Sequence, residues 1–332
     1  MLRISAYDPE TAADDDLVAF HRIAVAMCRV DRPGDSSPSF ESVVAGLRIP
    51  YSGHRSVDHW IAEIDGCLRG WGTVSLPYPN NQHMAVLNVR VHPDHRRQGI
   101  GTQLLKSAMA TVERPIVTDS GVRKDGPGHA WGLSLGLDEA QTMAIQTLYL
   151  ADIEGTAPVS VAAGYQVTGW MGSTPEPLVE SYARVRNAVN DAPSGRSRQN
   201  HRLWTPDGIR HIEEMSRDRN VEQRVTVAVK KGTDEVVALT VVELHPGRNV
   251  GFITATAVTP DHRGHSLARA VKTEAHQRLA GERPDIVKVQ TSINADNTYM
   301  LEVNRQLGYQ TVHIIVTFEQ DTDRLSQRLG LT

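Results

Sequence analysis

Cysteine is nearly absent from this chain of 332 residues: Cys28 and Cys67 stand alone, without metal-ligand spacing. That excludes a disulfide framework and a cysteine-based zinc site, and it suits a reducing compartment. Lysine is almost as rare, six of the 35 basic residues (106, 124, 230, 231, 272 and 288), a bias that hints at a GC-rich genome and carries no chemistry. With a net charge of −4 there is no basic footprint for nucleic acid. No apolar run reaches the ~18 residues of a membrane span, so a bilayer is excluded as solvent. The start, MLRISAYDPETAADDD, turns acidic where a secretory signal needs an apolar stretch, and the cytoplasm is the expected compartment.

What is present is a globular composition, 40% hydrophobic and 22% charged. The length fits two domains of about 150 residues each. An internal repeat supports that count. Val91-His-Pro-Asp-His-Arg-Arg-Gln-Gly-Ile-Gly101 aligns without a gap on Val258-Thr-Pro-Asp-His-Arg-Gly-His-Ser-Leu-Ala268, 167 residues further on. Before the first copy, residues 57–63, 68–76 and 84–91 read as strands; before the second, 224–229, 236–244 and 250–258 do the same. After each copy comes a helical period, through Leu104, Leu105, Ala108, Met109 and Val112, and through Leu267, Val271, Ala275 and Leu279. Candidate fifth strands at 116–118 and 286–291 are followed by Leu135-Gly136-Leu137 and Leu307-Gly308-Tyr309. The whole domain is thus duplicated, 1–153 and 154–332, with the join near 151–161, where Gly155 and Pro158 interrupt the pattern. The looser stretch 190–200 reads as a loop inside the second half.

Each copy of the repeated segment sits where a strand feeds a helix. In the first, Gly99 and Gly101 remove two Cβ atoms, so that successive N–H groups converge on an anion at the positive end of the helix dipole. Arg96 and Arg97 add side-chain charge. No Lys-Ser/Thr follows the glycines, which disfavours a triphosphate loop, and the spacing is not that of a dinucleotide site. His92 and His95 have the spacing of a ligand pair but no third partner, so no metal is expected. Gly132-Leu-Ser134-Leu-Gly136 has the letters of a nucleophile elbow without its strand-turn-helix context.

Arg96-x-x-Gly99-x-Gly101 after a Val-x-Pro strand end resembles the acyl-CoA diphosphate motif of the GNAT N-acetyltransferases, and the duplication resembles their tandem members. The resemblance covers nearly the whole chain. It implies an α/β (α+β) architecture of two tandem GNAT folds. Each would be a mixed, mostly antiparallel sheet with flanking helices, splayed between strands four and five to admit the pantetheine arm. It implies that Asn88, Val89, Arg90 and Val91 contact the arm and that Arg96, Arg97, Gln98, Gly99, Ile100, Gly101 and Thr102 contact the diphosphate. In the second half the matching residues are Ala257 and Val258, then Arg263, Gly264, His265, Ser266, Leu267 and Ala268, with Asn297 at the start of the following helix.

The two halves differ. Ser266 replaces Gly99 and adds a side chain at the closest backbone approach, so acetyl-CoA is expected to be held tightly in the N-terminal domain and a second acyl-CoA more weakly in the C-terminal one. Residues 294–309 look like the complete helix beside the thiol, which places transfer in the C-terminal domain. The tyrosine acid common in the family is missing: its places are Gly132 and Asn304. Thiolate protonation then falls to water, Asn304, Tyr299 or Tyr309, with Glu243 as the base acting through water. The resulting expectation is an acyl-CoA-dependent N-acyltransferase acting on the primary amine of a small molecule, in secondary metabolism such as antibiotic biosynthesis. The protein would work as a monomer or weak dimer, with no nucleic acid or membrane partner; the alternative is an acyl-CoA-binding or sensing protein without turnover.

Overall fold

The structure, a computed structural model, describes residues 1–33, 37–48, 54–77, 80–153 and 161–331. The chain forms two units: Met1–Gln141, Arg196–Asn200 and Ile315–Thr332 make the first, and Thr142–Gly195 and His201–Ile314 the second.

In the first unit, β1 (Leu2–Tyr7), α1 (Asp14–Asp31) and α2 (Phe40–Arg48) precede a meander of β2 (His54–Ile64), β3 (Cys67–Pro77) and β4 (Met84–Val91). Asp65 and Gly66 join β2 to β3 with φ of 51° and 76°, the pair of left-handed residues that a two-residue hairpin turn demands. Then follow α3 (Ile100–Met109), β5 (Ile116–Thr118), β6 (Val122–Arg123) and α4 (Pro127–Ser134), closed by the far end of β13 (Gln310–Asp321) and by α9 (Thr322–Leu329). The sheet runs β1-β2-β3-β4-β5-β13. On one face α3 buries Ile100, Leu104, Leu105 and Ala108 against Trp60, Val74 and Val117, with Leu325 and Leu329 of α9. On the other, Leu17, Phe20 and Ile23 of α1 pack with Leu47 and Trp71. Each large side chain so enclosed contributes about 1.5–3 kcal/mol.

The second unit repeats the plan with β8 (Tyr165–Met171), α5 (Val179–Asn187), α6 (Pro206–Asp218), β9 (Glu222–Lys230), β10 (Val236–Leu244), β11 (Val250–Val258), α7 (Leu267–Glu282), β12 (Lys288–Asn294) and α8 (Thr298–Gln306). Its sheet is completed by β7 (Asp138–Tyr149), whose residues from Met143 to Tyr149 pair with β12. The three-strand meanders and the helix after each repeated turn lie where the sequence predicts them.

The grouping differs from a single cut at 153/154, and the ladders give the reason. Glu319, Gln320 and Asp321 of β13 pair with Thr118, Val117 and Ile116, so the end of the chain belongs to the first sheet, while most of β7 belongs to the second. The loop 190–200 is likewise divided, because Arg198 donates its main-chain N–H (3.0 Å) and its Nε (3.2 Å) to Glu319. Residues 154–160, at the expected join, lie outside the described residues.

Candidate functional site

In the first unit β4 and β5 run parallel for three pairs only, Met84 with Ile116 through Val86 with Thr118. Beyond Val86 the outer edge of β4 has no strand beside it among the described residues, and its main-chain groups there can pair with an extended ligand. The gap opens into a cleft of 670 Å³, a volume suited to a substantial small molecule. Residues 87–91, the turn at 96, 97 and 99–102, the fork at 117–123, Trp131 of α4, and Phe318 and Glu319 line it; Gln98, expected with the turn, is exposed and not part of the lining.

The geometry of the turn is suited to an anion. Arg97 and Gly99 adopt φ of 62° and 78°, which reverses the chain so that α3 begins at the cleft. The N–H groups of Ile100, Gly101 and Thr102 open the helix and have no carbonyl one turn back, and the dipole adds positive potential there. A Cβ on Gly99 would meet nothing within 4 Å, so glycine serves its left-handed φ; one on Gly101 would touch Trp131 at 3.6 Å, an ordinary contact that fits the alanine at 268.

Arg96 is not the free cation expected from the sequence. Its two terminal nitrogens donate to Asp31 of α1 at 2.7 and 2.6 Å, and Nε donates to the Val91 carbonyl at 3.2 Å. The second unit duplicates this clamp, with Arg263 bonded to Asp191 at 2.5 Å and to the Val258 carbonyl at 3.2 Å. Arg97, exposed and in no ion pair among the described residues, remains for a ligand.

Asp119 follows the last paired residue of β5 and lines the cleft at the fork. Its Oδ1 accepts from the amides of Gly121 at 2.9 Å and Phe318 at 3.1 Å. Burial outweighs these bonds and pushes its pKa up to about 7, with a smaller push from the charge of Glu319. Sequence reasoning missed this residue, since one acid after a three-residue strand forms no pattern. Across the fork, Ser120 donates to Asn88 Oδ1. A Cβ on Gly132 would lie 2.5 Å from the Phe318 ring, so the place of the family tyrosine is sterically closed here.

The second unit also splays, β11 and β12 pairing only from Val250 with Lys288 to Ile253 with Thr291. Ser266 holds the left-handed φ of 55° that Gly99 holds in the first. The walls differ: Lys272, Asn304 and Tyr309 stand at the places of cleft-lining Leu105, Gly132 and Leu137. Lys272 Nζ is fully buried, has no hydrogen-bond partner among the described residues, and lies 4.7 Å from the Tyr309 ring centre. The Tyr309 hydroxyl is hydrogen-bonded to His276 Nε2 at 2.8 Å, and Asn304, entirely enclosed, donates to Gln146 at 2.7 Å.

Of the residues expected to share catalysis, Asn304 and Tyr309 are neighbours, the Tyr309 amide donating to the Asn304 carbonyl at 3.0 Å, but Glu243 is not brought to them. Val242 and Leu244 pack with Tyr309, so by strand alternation Glu243 points to the opposite face of the sheet, where its charge reaches Tyr182. Glu243 accepts from Gln223 at 3.0 Å. Asn297 caps α8, accepting from the Met300 amide at 3.1 Å, and Tyr299 is exposed. Ala257 is buried in the core under β11. No cluster of metal-ligating side chains occurs among the described residues. Ser134 donates to the Trp131 carbonyl within α4, which is not an elbow.

Comparison with known proteins gives the same picture. The model of the acetyltransferase (GNAT) family matches residues 25–118 and 189–309. Mycothiol acetyltransferase of Saccharomonospora viridis is 23% identical over 71% of this chain and 74% of its own length. That of Mycolicibacterium vanbaalenii is 25% identical over 80% and 84%. Among solved structures, a tandem GNAT protein from the clavulanic acid biosynthesis pathway superposes with a TM-score of 0.77, at 22% identity over 97% of this chain and 99% of its own. A GCN5-related N-acetyltransferase from Sphaerobacter thermophilus reaches 0.70, at 16% identity over 97% and 96%.

Proposed function

This chain belongs to the GNAT acetyltransferase family, and from that premise we propose that its first unit takes acetyl-CoA into the cleft between β4 and β5 and acylates the primary amine of a small molecule there. The observation that carries this reading is the coincidence, in one cleft, of an open β4 edge, a turn presenting free amides, and the carboxyl of Asp119 at the fork.

The amides of Ile100, Gly101 and Thr102, with Arg97, would take the diphosphate, and residues 88–91 would pair with the pantetheine arm. The thioester then ends at the fork. Asp119, partly ionised near neutral pH, receives a proton from the acceptor ammonium. The freed amine forms the new C–N bond as the C–S bond breaks, and the second proton that the nitrogen then loses passes through water to the thiolate, since Gly132 offers no acid. Transfer in the second unit is the weaker reading, because Lys272 and Tyr309 fill the places of Leu105 and Leu137. The mycothiol acetyltransferases, at 23% and 25% identity, support the reaction class and not the acceptor.

Acetyl-CoA turnover over a panel of small amines, followed by thiol release, tests the proposal. Acceptor-stimulated release that is lost in Asp119→Asn, with acetyl-CoA binding retained, supports it. Release that is unaffected by this change and abolished by Glu243→Gln would move the chemistry to the second unit.

A further inference from the structure

Two guanidinium groups of the second unit share one indole. The central carbon of Arg186 lies 4.0 Å, and that of Arg202 5.0 Å, from the centre of the Trp204 ring. The grouping is held in place by side chains on α5 and just beyond it. Asn187 accepts from the Trp204 amide at 2.8 Å and donates to its carbonyl at 2.9 Å, and Asn190 donates to the Arg202 carbonyl at 3.1 Å. The segment 202–204 is therefore strapped to the helix end, and both arginines and the indole are half-buried.

The charge of this group is unanswered. Neither arginine has an ion-pair partner among the described residues; Arg186 is hydrogen-bonded to the neutral Tyr182 side chain, and its Nε–H is buried without an acceptor. Burial and the like charge of Arg186 together hold the Arg202 pKa below its ordinary value, and no acid acts against them. Glu213 and Glu243, whose charges reach the neighbouring Tyr182, are engaged by Arg210 at 3.0 Å and by Gln223 at 3.0 Å. Arg96 pairs with Asp31, and Arg224 with Glu222 and Glu282; Arg69 and Arg269 also bury an Nε–H without an acceptor, but neither is stacked on an indole beside a second guanidinium among the described residues. A guanidinium presents a planar fork of donors that fits carboxylate and phosphate oxygens, and stacking on an aromatic face fixes its orientation.

We propose that Arg186 and Arg202, mounted on Trp204, form a binding site in the second unit for a small molecule bearing an oxyanion, a carboxylate or a phosphate ester. The site uses none of the residues that line the cleft of the first unit, and it stands whether or not that cleft takes acetyl-CoA. The anion bridges the Arg186 Nε–H and the Arg202 fork and supplies the missing counter-charge.

Labelling the full chain with 5-fluorotryptophan gives a local probe, the resonance of Trp204 being assigned by Trp204→Phe. Inorganic phosphate and acetate are titrated separately. A saturable shift of the Trp204 resonance with either anion, weakened about tenfold or more in Arg202→Gln, is the expected result, and the anion that acts at lower concentration identifies the head group. Arg202→Gln leaves the main-chain bonds to Asn187 and Asn190 intact, and unchanged positions of the other tryptophan resonances establish that it folds. No shift with either anion, or the same saturable shift in Arg202→Gln, overturns the proposal.

Discussion

The Lys272 ammonium stands over the face of the Tyr309 ring, 4.7 Å from its centre, with no hydrogen-bond acceptor among the described residues. Burial lowers its pKa from the ordinary 10.5 to about 7, and the adjacent His276, held well below its usual value, stays neutral.

Between pH 7 and 10.5 the unfolded chain therefore holds a proton on Lys272 that the folded chain has released, and stability rises with pH across that window. Below it the full penalty of enclosing the charge applies. Lys272→Met keeps the volume and removes the charge. It should stabilise the second unit by a few kcal/mol at pH 7 and flatten the rise, as read by urea unfolding at several pH values.

Asp119→Asn preserves the acceptor for the amides of Gly121 and Phe318 and removes the proton acceptor. Turnover should fall by about 10²–10⁴ with acetyl-CoA affinity unchanged. In the unaltered protein the rate should climb as the pH passes through about 7, where the carboxyl ionises. Steady-state rates from pH 5.5 to 9, beside calorimetric titration with acetyl-CoA, measure both.

Gly132→Ala places a methyl group 2.5 Å from the Phe318 ring. The first unit should lose about 1–3 kcal/mol. Adding Phe318→Leu should return part of the loss, and thermal melts of the single and double variants give the coupling.

Asp31→Ala removes the partner that fixes Arg96 and releases the turn from α1. Acetyl-CoA should bind about tenfold more weakly, a loss of about 1.4 kcal/mol, while the pH dependence of turnover stays in place. Calorimetric titration and the pH profile of the variant separate the two.

The repeat was legible because a turn that must present amides constrains residue types locally: Gly99, Gly101 and the helical period behind them lie within a dozen positions. The meanders were legible for the same reason, since alternation and hairpin turns are short-range signals. Strand allegiance was not. Whether 315–321 pairs with its own half or with β5 depends on a partner some 200 residues away, and nothing in FEQD announces the choice. Asp119 was hidden likewise, because its raised pKa comes from burial, with a smaller push from the charge of Glu319, 200 residues on. Arg96 was legible in part: its place in the turn is a local signal, but only the fold brings Asp31 to it.

The wall that Phe318 and Glu319 give to the first cleft comes from the last strand of the chain. Synthesis therefore delivers the turn at 96–102 early and the wall across the cleft from it some 200 residues later. A nascent chain halted after Ile153 would carry every amide of that turn and lack the wall that Phe318 and Glu319 supply.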